Sequence, residues 1–218
     1  MHRYLHTKRW LYSELLILTI GLPALLYWAL PPRMILPLIW GVSLYCLLIY
    51  KALEHIDMRI RWGMEELTLH NLLPLMKRFL ISASILTSCT LLFTPDLFFG
   101  FIRHNFTVWV VVMFAYPLLS VVPQEIIFRV FFFSRYKSIF TEQRMMIIAS
   151  GVTFGVAHIV FHNWVAPLLC TAGGLMFAQT YARHRSLLLV SLEHALYGNF
   201  LFTVGLGHYF YHGSVAAS

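Results

Sequence analysis

Apolar runs of membrane-crossing length recur along the chain, each closed by charged or helix-breaking residues. They lie at 11–30, 34–53, 79–94, 107–134, 145–161, 164–181 and 186–204. A helix rises 1.5 Å per residue, so about 20 apolar residues cross the hydrocarbon core. Pro31-Pro32-Arg33 stops the first run, because proline has no N–H to give a helix. The longest polar connection runs from Lys51 to Arg78. Its Arg59-Ile60-Arg61-Trp62 stretch, with Leu67, Leu69 and Leu72, predicts an amphipathic helix at the membrane surface. Pro95-Asp96 to Asn105 reads as a loop. Pro117 and Pro123 interrupt the fourth run, and Pro123 predicts a kink immediately ahead of Gln124-Glu125. The aromatic stretch from Gly205 to His212 reads as an interfacial tail or a short eighth segment. The pattern predicts an all-α fold: a polytopic transmembrane helix bundle of about seven to eight spans. Residues 1–218 form a single transmembrane domain in this reading, without internal repeats. The first run is too long for a signal peptide and lacks a small-residue cleavage site, so it is expected to stay as a span.

Composition agrees with the pattern. Of 218 residues, 59% are hydrophobic and 11% are charged, which excludes a soluble domain, where about a quarter of residues are charged. The formal charge of +7 is unevenly placed. Arg3, Lys8, Arg9, Lys51, Arg59, Arg61, Lys77, Arg78, Arg135, Lys137, Arg144, Arg183 and Arg185 fall on one side of the predicted spans. Only Arg33 and Arg103 fall on the other. The positive-inside rule then puts the N-terminus in the cytoplasm. The excess charge is explained by loops facing anionic lipid, and no nucleic acid partner is implied. Cys46, Cys89 and Cys170 all lie inside apolar runs without nearby basic groups, which argues against both a disulfide framework and thiol catalysis.

Three polar clusters interrupt the apolar runs. Gln124, Glu125 and Arg129 lie between an uncharged stretch at 108–122 and another at 130–133. Glu125 and Arg129 are four apart on one helix face and can pair. His158 sits near mid-span, with His162 and Asn163 at the outer edge. Glu193 and His194 lie about two turns from the cytoplasmic end of the last span, with Tyr197 and Asn199 beyond. Ionisable groups inside a bilayer are costly unless they pair or line a polar cavity. Three such clusters at similar depth on separate helices predict a shared cavity inside the membrane. There a carboxylate near two imidazoles could activate water and stabilise an oxyanion.

The motifs Gln124-Glu125-Ile126-Ile127-Phe128-Arg129, Phe154-Gly155-Val156-Ala157-His158 and His194-Ala195-Leu196-Tyr197-Gly198-Asn199 resemble the three ordered motifs of the CAAX-protease and bacteriocin-processing family. Its members are intramembrane glutamic endopeptidases related to the type II CAAX prenyl endopeptidase. The resemblance makes residues 117–200 the three-motif catalytic core. It implies hydrolysis of a peptide bond in a membrane-anchored protein or peptide, such as a C-terminal sorting tail or a lipid-modified end. The lipid bilayer is the other partner, no metal or cofactor is needed, and the setting is a bacterial inner membrane. It assigns Glu125, His158 and His194 as catalytic, supported by Gln124, Arg129, Asn199 and Glu193. Two positions depart from the family pattern. Gln124 stands where the first glutamate is usual, and glutamine takes no proton at neutral pH. Gly198, not asparagine, lies four residues after His194, with Asn199 one residue later.

Two rival readings follow from the same residues. Gln124 suits a non-catalytic relative, a pseudoprotease or immunity-type scaffold that binds a membrane peptide without cutting it. His158 and His162, spaced like paired zinc ligands with His194 as a third, suit a metal enzyme or transporter. The remaining polar and small residues have structural readings. Gly173-Gly174 permits close helix packing, and Glu14 either snorkels or pairs near the interface.

Overall fold

Proline placement and apolar length build most of the architecture. A computed structural model describes residues 7–53 and 62–210. Arg3, Glu54, Asp57, Arg59, Arg61, Tyr211 and His212 lie outside the described residues, as does most of the predicted interfacial helix. Seven long helices are described: α1 (Lys8–Trp28), α2 (Ile35–Leu53), α3 (Leu69–Phe93), α4 (Phe106–Arg135), α5 (Gln143–Ala157), α6 (Val165–His184) and α7 (Leu187–Val204). No strand occurs among the described residues. The segments carrying α1, α2, α3, α4, α5 and α7 are long and apolar enough to cross a membrane. In α6 the length suffices, but Gln179, Arg183 and His184 make its second half polar. The chain is a multi-pass membrane protein built as a helix bundle.

Several boundaries differ from the sequence reading. Helix α3 starts at Leu69, ten residues before the predicted span, because Thr68 caps it by accepting from the Asn71 N–H at 3.3 Å. Leu67 is outside that helix. The 95–105 connection contains a helical turn at Gly100–His104, and the chain after α7 closes in a 3-10 turn at Leu206–Phe210.

The breaks in α4 follow from its two prolines. Pro117 opens a π turn at Pro117–Val121, and a second π turn spans Ile126–Phe131. Pro117 cannot donate to the Met113 carbonyl, and Pro123 cannot donate to that of Leu119. Other helices supply the missing donors. Asn199 Nδ2 of α7 donates to Met113 O at 3.0 Å, and Trp40 Nε1 of α2 donates to Leu119 O at 3.0 Å. In the second π turn, the Phe132 N–H reaches back to Ile127 O and skips Phe128 O. Ser150 Oγ of α5 takes that carbonyl at 2.7 Å.

Helices α5 and α6 pack at backbone distance. A Cβ on Gly174 would lie 2.8 Å from Gly151 O, and one on Gly155 would lie 1.9 Å from Thr171 Oγ1. The glycine of the Phe154-Gly155 pair is therefore required by the approach of α6.

Ion pairs with buried carboxylates tie the end of the bundle that carries the basic loops. Glu14 of α1 accepts from Arg135 Nε at 2.7 Å and from the Tyr45 hydroxyl at 2.7 Å. Arg78 of α3 pairs with Glu193 of α7 and donates to Thr180 Oγ1 at 2.8 Å. Removing one member of a buried pair strands the other. Glu14→Ala is expected to lower stability by about 3–5 kcal/mol, and Tyr45→Phe by about 1 kcal/mol. Denaturant unfolding in detergent micelles measures both.

Candidate active site

Glu125 and Arg129 sit on consecutive turns of α4, and both are fully buried. Arg129 Nε lies 3.2 Å from Glu125 Oε2, the pairing predicted by the four-residue spacing. Arg129 Nη1 donates to Ser150 Oγ at 3.1 Å, and its guanidinium lies over the Phe154 ring at 5.0 Å. The other Glu125 oxygen, Oε1, is 2.8 Å from His194 Nδ1. An ionised carboxylate only accepts, so His194 carries its proton on Nδ1. Its Nε2 then accepts from the Tyr116 hydroxyl at 3.1 Å. The result is a chain of contacts, Tyr116–His194–Glu125–Arg129–Ser150, crossing three helices.

His158 occupies the end of α5, where the helix passes into a 3-10 turn at His158–Phe161. Its Nδ1 is 2.7 Å from Phe154 O. A carbonyl only accepts, so this nitrogen is the donor and Nε2 keeps its lone pair. The two imidazoles meet on one aromatic ring: Phe154 lies 4.6 Å from the His158 centroid and 5.4 Å from that of His194. His194 also stacks on Phe177 at 4.7 Å.

Gln124, His158, His194, Tyr116 and Ser120 all line one cavity of about 1610 Å3. Gln124 Nε2 donates to Ser120 Oγ at 2.7 Å, and its Oε1 has no hydrogen-bond partner. An orphaned acceptor at this burial is costly unless something donates to it. Glu125 and Arg129 are absent from the cavity wall. Neighbouring helical residues point about 100° apart, so Gln124 faces the cavity while Glu125 faces the protein.

The remaining predicted residues are elsewhere. Glu193 turns away from His194 to pair with Arg78, and Asn199 is committed to Met113 O. His162 follows the 3-10 turn with a left-handed backbone and stacks on Tyr27 at 4.0 Å. It therefore does not join His158, and no three His, Cys, Asp or Glu side chains converge among the described residues. The spacing that suggested paired metal ligands presumed a helix that ends at Ala157.

Tyr116 is the residue that the sequence reading missed. A Cβ on Gly198 would lie 2.3 Å from the Tyr116 hydroxyl oxygen. The phenol therefore fills the room that a side chain at 198 would need, and its hydroxyl reaches the neighbouring imidazole. The available signal was a tyrosine in an apolar run, whose hydroxyl needs a partner once buried. Ser120 and Ser150 were likewise unremarkable in sequence.

No curated protein and no solved structure matches the chain. Residues 105–200 match a family model described as Type II CAAX prenyl endopeptidase Rce1-like. That stretch holds the Gln124–Arg129 motif, His158 and His194, the residues through which the chain resembles the CAAX-protease family.

Proposed function

We propose that the chain is an intramembrane endopeptidase that hydrolyses a peptide bond of a membrane-associated protein in the outer half of the bundle. The family match supports the reaction class. The observation that carries the site is that the His158 and His194 rings both pack on Phe154 while lining one cavity with the unpartnered Gln124 Oε1.

His158 is the base in this reading. A water donating one hydrogen to Gln124 Oε1 and the other to His158 Nε2 keeps a lone pair for attack. Glutamine cannot take a proton, so the proton goes to His158. The water oxygen bonds to the carbonyl carbon, and the carbonyl oxygen becomes an oxyanion. The Tyr116 hydroxyl turns from His194 towards that charge and donates to it. Collapse breaks the C–N bond, and His158 returns its proton to the leaving amine. Glu125 acts through His194: it fixes the ring and its tautomer, as the buried aspartate does in the serine-protease triad. The setting is a bacterial inner membrane, with the basic loops in the cytoplasm.

Gln124 favours a second reading, a relative that binds membrane peptides without cleaving them. Cleavage by the detergent-purified protein of quenched-fluorescent transmembrane peptides, with and without a lipid-modified end, separates the two. For a protease, His158→Ala is expected to lower kcat by roughly 10²–10⁴-fold. Absence of cleavage by the wild type, with cleavage gained in Gln124→Glu, would establish the binding reading.

Tyr116 has its own test. Tyr116→Phe is expected to lower kcat by roughly 10²-fold with KM unchanged, the usual cost of one oxyanion donor. Gly198→Asn alone forces a clash, whereas Tyr116→Ala with Gly198→Asn makes room for an amide donor and recovers part of the loss. An unchanged kcat in Tyr116→Phe removes the hydroxyl from the mechanism.

A further inference from the structure

We infer that substrate enters from the end of the bundle opposite the basic loops, as an apolar, non-cytoplasmic polypeptide segment. The word substrate rests on the reading above; the direction of access does not.

The cavity occupies one half of the bundle. Along α1 its wall begins at Leu18, along α2 it ends at Val42, along α4 it ends at Phe128, and along α7 it begins at His194. The limits on α1, α2 and α7 lie near the middle of each helix, and that on α4 lies nearer its Arg135 end. From there the wall runs to the connections at one end only, reaching Arg33, Asp96, Asn105 and His208. None of the residues at 62–68, 136–142 or 185–186, which join the helices at the other end, contributes to it. That other half is closed by ion pairs: the buried pairs Glu14 with Arg135 and Glu125 with Arg129, and Glu193 with the half-buried Arg78.

The charge distribution orients this asymmetry. Lys8, Lys51, Arg135, Lys137, Arg144 and Arg183 lie at the closed end, against Arg33 and Arg103 at the open one. Retention of positive loops in the cytoplasm makes the closed end cytoplasmic. The candidate site is then the floor of a cavity that opens outward.

The lining indicates what fits. The rim carries Arg33 and Asp96, whose formal charges cancel, with His104 and His208. Below the rim the wall is mostly apolar, with leucines, isoleucines and phenylalanines from all seven helices. A narrow polar rim above an apolar shaft suits a hydrophobic polypeptide segment whose polar end stays at the water interface.

Thiol labelling tests the direction without relying on activity. Cys170 lines the cavity. In a Cys46→Ala, Cys89→Ala background Cys170 is the deep probe, and His208→Cys with Cys170→Ala supplies a rim probe. Arg144→Cys with Cys170→Ala serves as the closed-end control. A charged, membrane-impermeant methanethiosulfonate is applied to spheroplasts and to inside-out vesicles. Cys170 and the rim cysteine are expected to react in spheroplasts and not in inside-out vesicles, with the control reversed. Labelling of either cavity cysteine from the vesicle side alone, or of neither from either side, overturns outward access. Expected labelling without any peptide cleavage leaves access standing and removes only the endopeptidase reading. For the shaft, an apolar transmembrane peptide is expected to protect Cys170 from labelling, while a polar peptide of equal length does not. Equal protection by both peptides, or by neither, overturns the apolar occupant.

Discussion

In lipid, a backbone carbonyl without a donor has no water to turn to. Helix α4 creates three such carbonyls, at Met113, Leu119 and Phe128, through Pro117, Pro123 and a π turn. Each is claimed by a different helix: by Asn199 of α7, Trp40 of α2 and Ser150 of α5. A continuous helix would need none of these bonds. The broken one is pinned on three sides, and the pinning sets Glu125 against His194 and Arg129 against Ser150. The same breaks that weaken α4 as a helix make it the organising element of the bundle.

The pinning also divides the motif between two environments. Glu125 is enclosed with Arg129 on one oxygen and His194 on the other. Detaching it towards the cavity would strand a buried guanidinium, at a cost of about 3–5 kcal/mol. Gln124, one residue earlier, faces the cavity with an unused acceptor. Proton-accepting capacity beside Gln124 on the cavity wall therefore rests with imidazoles: His158, whose Nδ1 is occupied by Phe154 O, and His194, whose Nε2 is engaged by the Tyr116 hydroxyl. The chemistry proposed for the site follows from which side of α4 each residue occupies more than from which residues are acidic.

Much of this was legible in the sequence, for identifiable reasons. The Glu125–Arg129 pair followed from a four-residue spacing, and the meeting of His158 and His194 followed from their depth. Both depend on counting along regular helix. The errors arose where a helix stops or where a long-range partner decides. His162 needed α5 to continue beyond Ala157, but the chain turns there. Glu193 adjoins His194 in sequence, yet Arg78 of α3 claims it. Asn199 has the appearance of a motif residue one place out of register. Its bond to Met113 O exists because Pro117 withholds a donor, a link that only the packing of α7 on α4 reveals. The start of α3 was different: Thr68 and Asn71 offered a recognisable cap, and the charge of Lys77 and Arg78 obscured it.

Gly198 and Tyr116 are matched across the interface between α7 and α4. Four residues after His194, a polar residue on α7 would present a donor beside the imidazole from the same helix. Here that position is bare, and a phenol from α4 occupies the space, 2.3 Å from where a Cβ would stand. The hydroxyl beside the imidazole belongs to α4. Its placement has a structural requirement, since a tyrosine can enter only if residue 198 has no side chain. It also has a mechanical consequence. Tyr116 immediately precedes Pro117, so the hydroxyl is held at the edge of the first break in α4. That break is fastened by Asn199, the next residue after Gly198. The glycine admits the phenol, and its neighbour secures the backbone that carries it. Gly198 and Asn199 thus act on α4 together, one by leaving room for Tyr116 and the other by fastening the break beside it.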